Sequence, residues 1–203
     1  HQPLTWKQKI AKWLTGESFD KYDYVYSSRT VIKNKFYNPQ VGSGYCSEDI
    51  WAEADKIVRP FLSKGQTAYY EIVGFLPNGK YIQPGYDYGC TPPKPGETFT
   101  HERHFKVRIY RITMTNVDGK VVEYTPLQVQ QWCNKVGLTP VEECYFGKAK
   151  DLYPDLDTFN HWNENFIERL SNDKRFFMEL DSPHCKNKVP HEGLVIKKED
   201  MKS

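Results

Sequence analysis

The stretch 104–137 constrains the fold most, because three local signals follow one another without a gap. Residues 104–115 read as a long strand and 120–124 as its partner. They are joined by Asn116-Val-Asp-Gly119, a sequence that favours a β-hairpin. Thr125-Pro-Leu-Gln128 follows at once, combining an N-cap hydroxyl, a proline at the first helical position and a glutamine placed for a capping box. Gly137 is the expected stop of that helix. A hairpin that runs straight into a helix does not fit a regular βαβ winding. An α+β fold is expected, with mainly antiparallel sheets and peripheral helices.

The remaining elements support that class. Thr5 can cap a helix with Trp6, Ile10, Trp13 and Leu14 on one face, and residues 22–27 read as an aromatic, β-branched strand. A loop, Gly42-Ser-Gly44, precedes a helix expected to be capped by Ser47 and closed by Pro60. Residues 67–74 form a short, nearly continuous apolar strand interrupted by Glu71. A further helix is expected over 158–170, and strands over 176–180 and 193–197. The 203 residues suit one domain with a real core.

Lys and Arg number 28 against 26 Asp and Glu, so the net charge of +2 gives no bulk-charge argument for nucleic acid or membrane. No apolar run approaches the roughly 20 residues a bilayer needs. The five cysteines (Cys46, Cys90, Cys133, Cys144, Cys185) are scattered, with no Cys-x-x-Cys pair. They read as reduced thiols of a cytoplasmic protein. His184-Cys185 with His191 is the nearest approach to a metal pair, and adjacent residues seldom present both side chains to one ion.

Three strand-like segments each place a charge among uncharged neighbours: Ser27-Ser-Arg29-Thr30, Tyr69-Tyr-Glu71-Ile-Val-Gly74 and His191-Glu192-Gly-Leu-Val-Ile-Lys197, the last ending on a second charge. Taken singly, Glu71 and Glu192 can pair with Arg29 or a lysine purely as architecture. In the last segment a two-residue period puts Glu192, Leu194 and Ile196 on one face, and Gly193 lets a ligand approach the backbone.

Taken together, these segments resemble the nucleotidyltransferase domain of ATP-dependent RNA ligases, in the superfamily shared with DNA ligases and mRNA capping enzymes. Glu192-Gly-Leu-Val-Ile-Lys197 is similar to that family's fourth motif. Tyr69-Tyr-Glu71-Ile-Val-Gly74 is similar to its third, with Tyr70 where the family usually has Gly. Ser28-Arg29-Thr30 resembles its Ser-Arg-Asn element, and Phe105-Lys-Val-Arg-Ile-Tyr110-Arg-Ile the motif whose aromatic ring stacks on adenine. Tyr81-Ile-Gln-Pro-Gly-Tyr-Asp-Tyr-Gly89 resembles the segment between those two strands. The order is that of the family over nearly the whole chain.

The resemblance implies a single ligase-type nucleotidyltransferase domain over 1–203, of mainly antiparallel sheets flanked by helices and incomplete at both ends. The implied activity joins RNA 3′-OH and 5′-phosphate ends through lysyl-AMP and RNA-adenylate, using ATP and Mg2+. Arg29 would contact the sugar-phosphate, Glu71 the ribose hydroxyls and Tyr110 the adenine. Glu192 would face the metal or the reacting phosphate, and Lys197 would touch the phosphate. The family's nucleophile stands in Lys-x-Asp-Gly, which does not occur here, and Asn116-Val-Asp-Gly119 is better read as a turn. This chain alone is therefore expected not to adenylylate itself. Two alternatives stay open: a non-catalytic nucleotide- or RNA-binding relative, and a DNA ligase or capping-type nucleotidyltransferase.

Overall fold

The computed structural model describes residues 5–15, 24–28, 32–33, 49–156, 161–176, 181–182, 184–191 and 193–197. The Gly42–Gly44 loop, Cys46, the cap at Ser47, Arg29, Glu192 and most of the strand expected over 176–180 lie outside the described residues. The chain divides into two compact units, His1–Gln66 and Thr67–Ser203.

The first unit holds α1 (Trp6–Thr15), the short antiparallel pair β1 (Tyr26–Ser27) and β2 (Ile32–Lys33), and α2 (Ile50–Val58). On α1 the apolar residues Trp6, Ile10, Trp13 and Leu14 are all exposed. Helix α2 is capped by Asp49, whose carboxylate accepts from the Ala52 N–H at 3.3 Å. Ile50, Ala54 and Val58, four residues apart, are its buried stripe. Pro60 sits in a single tight turn, Arg59–Phe61, directly after the helix. Tyr26 donates its hydroxyl to Asp49 at 3.1 Å, and burial together with that carboxylate pushes its pKa up to about 12.

The second unit is an antiparallel sheet flanked by helices. Its strands are β3 (Gln66–Gly74), β4 (Phe105–Thr115) and β5 (Val121–Glu123), adjacent in that order, with the two-residue β6 (Thr139–Pro140) running parallel beside β4. The expected hairpin is present, with Thr115 opposite Val121 and Thr113 opposite Glu123. Asn116 closes its turn by accepting the N–H groups of Asp118 and Lys120 through its side-chain oxygen, at 3.0 and 2.8 Å.

Helix α3 (Pro126–Val136) opens on a complete capping box. Thr125 Oγ1 accepts from the Gln128 N–H at 3.3 Å, and Gln128 Oε1 accepts from the Thr125 N–H at 2.9 Å. It ends at Gly137 in the left-handed conformation, φ 75°. The helix lies against β4 and β6, burying Val129 and Cys133. With Ile72, Phe105, Val107, Ile109, Ile112 and Leu138 these residues make the core. Helices α4 (Ala149–Leu152) and α5 (Trp162–Ser171) follow; Trp162 stacks on Phe166 at 4.9 Å, as their four-residue spacing requires.

Gly74 ends β3 where only glycine fits. A β-carbon there would stand 2.7 Å from the His104 carbonyl oxygen and 2.8 Å from Cys90 Sγ, at φ 110°. One expectation needs correcting. Residues 193–197, with strong strand propensity, belong to no strand among the described residues. Leu194, Val195 and Ile196 are exposed, Val195 to 84%. Propensity supplies a fit to a sheet surface, but a strand also needs a partner's open edge.

Candidate functional site

The third-motif-like strand β3 and the adenine-motif-like strand β4 are neighbours in the sheet. Tyr69 of β3 and Tyr110 of β4 face each other with ring centroids 6.3 Å apart and planes inclined by 48°. Arg111 lays its guanidinium over the Tyr69 ring at 4.9 Å and pairs with Glu123 of β5 at 2.8 Å. Glu71 lies two residues beyond Tyr69, on the same side of β3 by the strand period, and is exposed. The Lys197 ammonium donates to the Tyr110 main-chain carbonyl at 2.6 Å and stands 4.0 Å from Glu123.

Three of the five residues singled out by sequence thus fall in one region. Glu71 and Tyr110 come from paired strands, and Lys197 arrives from about ninety residues further on to touch the second of them. Arg29 and Glu192 lie outside the described residues. Sequence reasoning missed Tyr69, Arg111 and Glu123, which surround the Lys197 contact. The hairpin register carried a signal for part of this. With Thr113 opposite Glu123, Arg111 is the diagonal neighbour of an opposite charge.

A second set of contacts ties residues 186–190 to an earlier loop. The loop 83–90 is joined to residues 186–190 by four hydrogen bonds. The Asp87 N–H donates to Asn187 Oδ1 at 2.9 Å, Asn187 Nδ2 to the Gly85 carbonyl at 2.6 Å, the Lys186 N–H to the Asp87 carbonyl at 2.7 Å, and the Tyr86 hydroxyl to the Pro190 carbonyl at 3.4 Å. Inside the loop, Lys106 Nζ donates to the Tyr88 carbonyl at 2.7 Å and the Tyr88 hydroxyl to Gln83 at 2.7 Å. Cys90 beside it has its thiol pKa raised by burial, against the opposing pull of the Lys106 charge.

No protein-family model, no curated protein and no solved structure matches the chain. The case for its function therefore rests on its own residues and their placement.

An open cavity of about 310 Å³ lies elsewhere, lined by Glu142, Cys144, Tyr145, Arg175, Phe176, His191 and Leu194. Glu71, Tyr110 and Lys197 do not line it. Arg175 there is committed to Asp173, and its guanidinium holds that carboxyl well below the usual range. Burial, with Glu142 adding to it, pushes the Cys144 thiol up, which disfavours the reactive thiolate. Among the described residues no three His, Cys, Asp or Glu side chains converge as a metal-binding group. Cys90, Cys133, Cys144 and Cys185 are free thiols. Among the described residues no helix is long and apolar enough to cross a membrane.

Proposed function

We propose that the chain is the nucleotide-binding core of an ATP-dependent RNA ligase, a ligase-type nucleotidyltransferase domain acting on RNA 3′-OH and 5′-phosphate ends. One observation carries the reading: the Lys197 ammonium rests on the Tyr110 carbonyl, on the strand paired with the one bearing Glu71. Residues suited to phosphate, adenine and ribose therefore come from three segments, distant in sequence, whose motifs run in the family's order.

The chemistry follows from residue type. A carboxylate at Glu71 can accept from both hydroxyls of a ribose. An aromatic ring at Tyr110 stacks on a purine, worth about 1–3 kcal/mol. Lys197 offers a point charge to the α-phosphate, and moving there requires exchanging one carbonyl oxygen for a phosphate oxygen. By the resemblance, Arg29 would contact the sugar-phosphate and Glu192 would face Mg2+ or the reacting phosphate, where the ion would supply neutralisation of phosphate charge. The transfer itself forms a bond from a lysine nitrogen to the α-phosphorus and expels pyrophosphate. The AMP then passes to an RNA 5′-phosphate, and attack by a 3′-OH releases it. With no Lys-x-Asp-Gly in these residues, the reading assigns this chain the pocket and not the nucleophile.

Calorimetric titration with ATP and with GTP in the presence of Mg2+ tests it. ATP is expected to bind in preference to GTP, with Tyr110→Ala and Glu71→Ala each weakening it about tenfold or more. No ATP binding, or binding indifferent to both substitutions, overturns the reading. Acid-stable label from ATP on any lysine of this chain would overturn the assignment of the nucleophile elsewhere.

A further inference from the structure

Lys106 of β4 and Lys186 of the segment before residue 192 converge on one bare point of backbone. Lys106 Nζ lies 3.8 Å, and Lys186 Nζ 3.7 Å, from where a β-carbon on Gly89 would stand. Gly89 has φ 73° and carries no side chain to fill the space between them. Like charges brought this close repel, and a fold normally answers them with a carboxylate. Among the described residues no carboxylate oxygen lies within 4.0 Å of either ammonium. Lys106 spends one of its three donors on the Tyr88 carbonyl, and Lys186 Nζ has no acceptor or ion-pair partner among the described residues. The nearby Asp87 carboxylate is turned instead onto the Gly89 N–H at 2.8 Å.

The convergence is also built rather than incidental. The Lys186 N–H is bonded to the Asp87 carbonyl and Asn187 grips residues 85 and 87, so the backbone beneath Lys186 is fixed to the loop that carries Gly89. Gly89 matters sterically as well, since a β-carbon there would press to 3.0 Å on Lys186 Cε.

We propose that Lys106 and Lys186, across Gly89, form a binding site for a phosphate group. Phosphate oxygens accept from both ammoniums and supply a counter-charge in direct contact with them. The site stands on lysine geometry and does not require the nucleotide pocket to be correctly assigned. Its phosphate can belong to a nucleic-acid strand or to a free nucleotide, and the test separates the two.

Anisotropy titrations would use a 3′-labelled single-stranded oligoribonucleotide with and without a 5′-phosphate, and competition with inorganic pyrophosphate and ATP. Lys186→Glu is the main variant, Lys186→Arg the charge-preserving one, and Lys135→Glu on α3 an equal change of charge elsewhere. Lys186→Glu is expected to weaken binding about tenfold or more, and to flatten the log–log salt slope by about 0.7 for each strand phosphate released. Lys186→Arg should retain most of the affinity. Dependence on Lys186 with both oligoribonucleotides identifies an internal phosphodiester, and with the phosphorylated one alone a 5′ end. Dependence seen only with pyrophosphate or ATP identifies a free nucleotide. The proposal is overturned if Lys186→Glu matches wild type for every probe, if Lys135→Glu does equal damage, or if no probe binds. The ATP titrations of Tyr110→Ala and Glu71→Ala stand apart from these outcomes, so either proposal can fail alone.

Discussion

In the β4–β5–α3 block each element is closed by residues a few positions away. Asn116 holds its own turn, Thr125 and Gln128 cap each other, and Gly137 ends the helix they start. The segment 184–191 has local bonds too, such as the Ser182 N–H to the Val189 carbonyl, but Asn187, Lys186 and Pro190 also tie it to loop residues about a hundred positions earlier. The first block has a buried apolar core beneath it, whereas the second is mostly exposed and tied by polar contacts. Local closure with a core yields structure that resists perturbation. Long-range polar closure yields structure that depends on both partners, and the proposed Lys106–Lys186 site is built on it.

The comparison breaks first at Ile109, which is fully buried on β4. Ile109→Ala should cost about 2–5 kcal/mol, because the cavity it leaves is walled by β4 and its neighbours and cannot collapse fully. Urea unfolding should show the midpoint falling in a single cooperative step for Thr67–Ser203. A loss below about 1 kcal/mol would mean that the sheet is not the stabilising centre assumed here.

Asn187→Ala is the matching change in the other region and should act locally. It removes two hydrogen bonds at an exposed site, worth about 1 kcal/mol together. The expected result is faster amide exchange at residues 85–87 and 184–190 with the urea midpoint almost unmoved. A midpoint shift as large as that of Ile109→Ala would erase the distinction between the two regions.

The same distinction explains what could be read in the sequence. The hairpin, the capping box and the Gly137 stop were legible because each signal and its partner lie within a few residues. Glu71 and Tyr110 were legible as candidates through the motifs around them, and their strands are neighbours. The convergence of Lys106 and Lys186 was not legible, since it exists only when residues 87 and 186 are bonded. Residues 193–197 misled for a related reason. Their β-branched run specifies a conformation, and nothing local specifies whether a sheet edge is free to receive it.

The smallest expected effect concerns acid, and it sharpens the comparison within the second unit. Asp173 accepts from Arg175 at 2.6 and 3.0 Å, which holds its carboxyl below the ordinary range, and the Tyr153 hydroxyl, donating at 2.8 Å, adds to this. Burial and that carboxylate together raise the pKa of Tyr153, so the pair is a neutral phenol donating to a carboxylate. A depressed carboxyl pKa stabilises the folded state fully above the unfolded value of about 3.9. The contribution is lost as pH falls through that value towards the folded one. Tyr153 is buried and packs on Phe166, which stacks on Trp162, so loss of the Asp173 contact reaches α5. The β4–β5–α3 block has no such dependence on Asp173. Amide protection after equilibration at about pH 6 and about pH 3 should therefore fall more over residues 149–176 than over 105–137. Asp173→Asn, which cannot titrate, should remove most of that difference by weakening residues 149–176 at both pH values. If both stretches lose protection equally in wild type, or if the variant keeps the acid response, Asp173 is not what ties this region together.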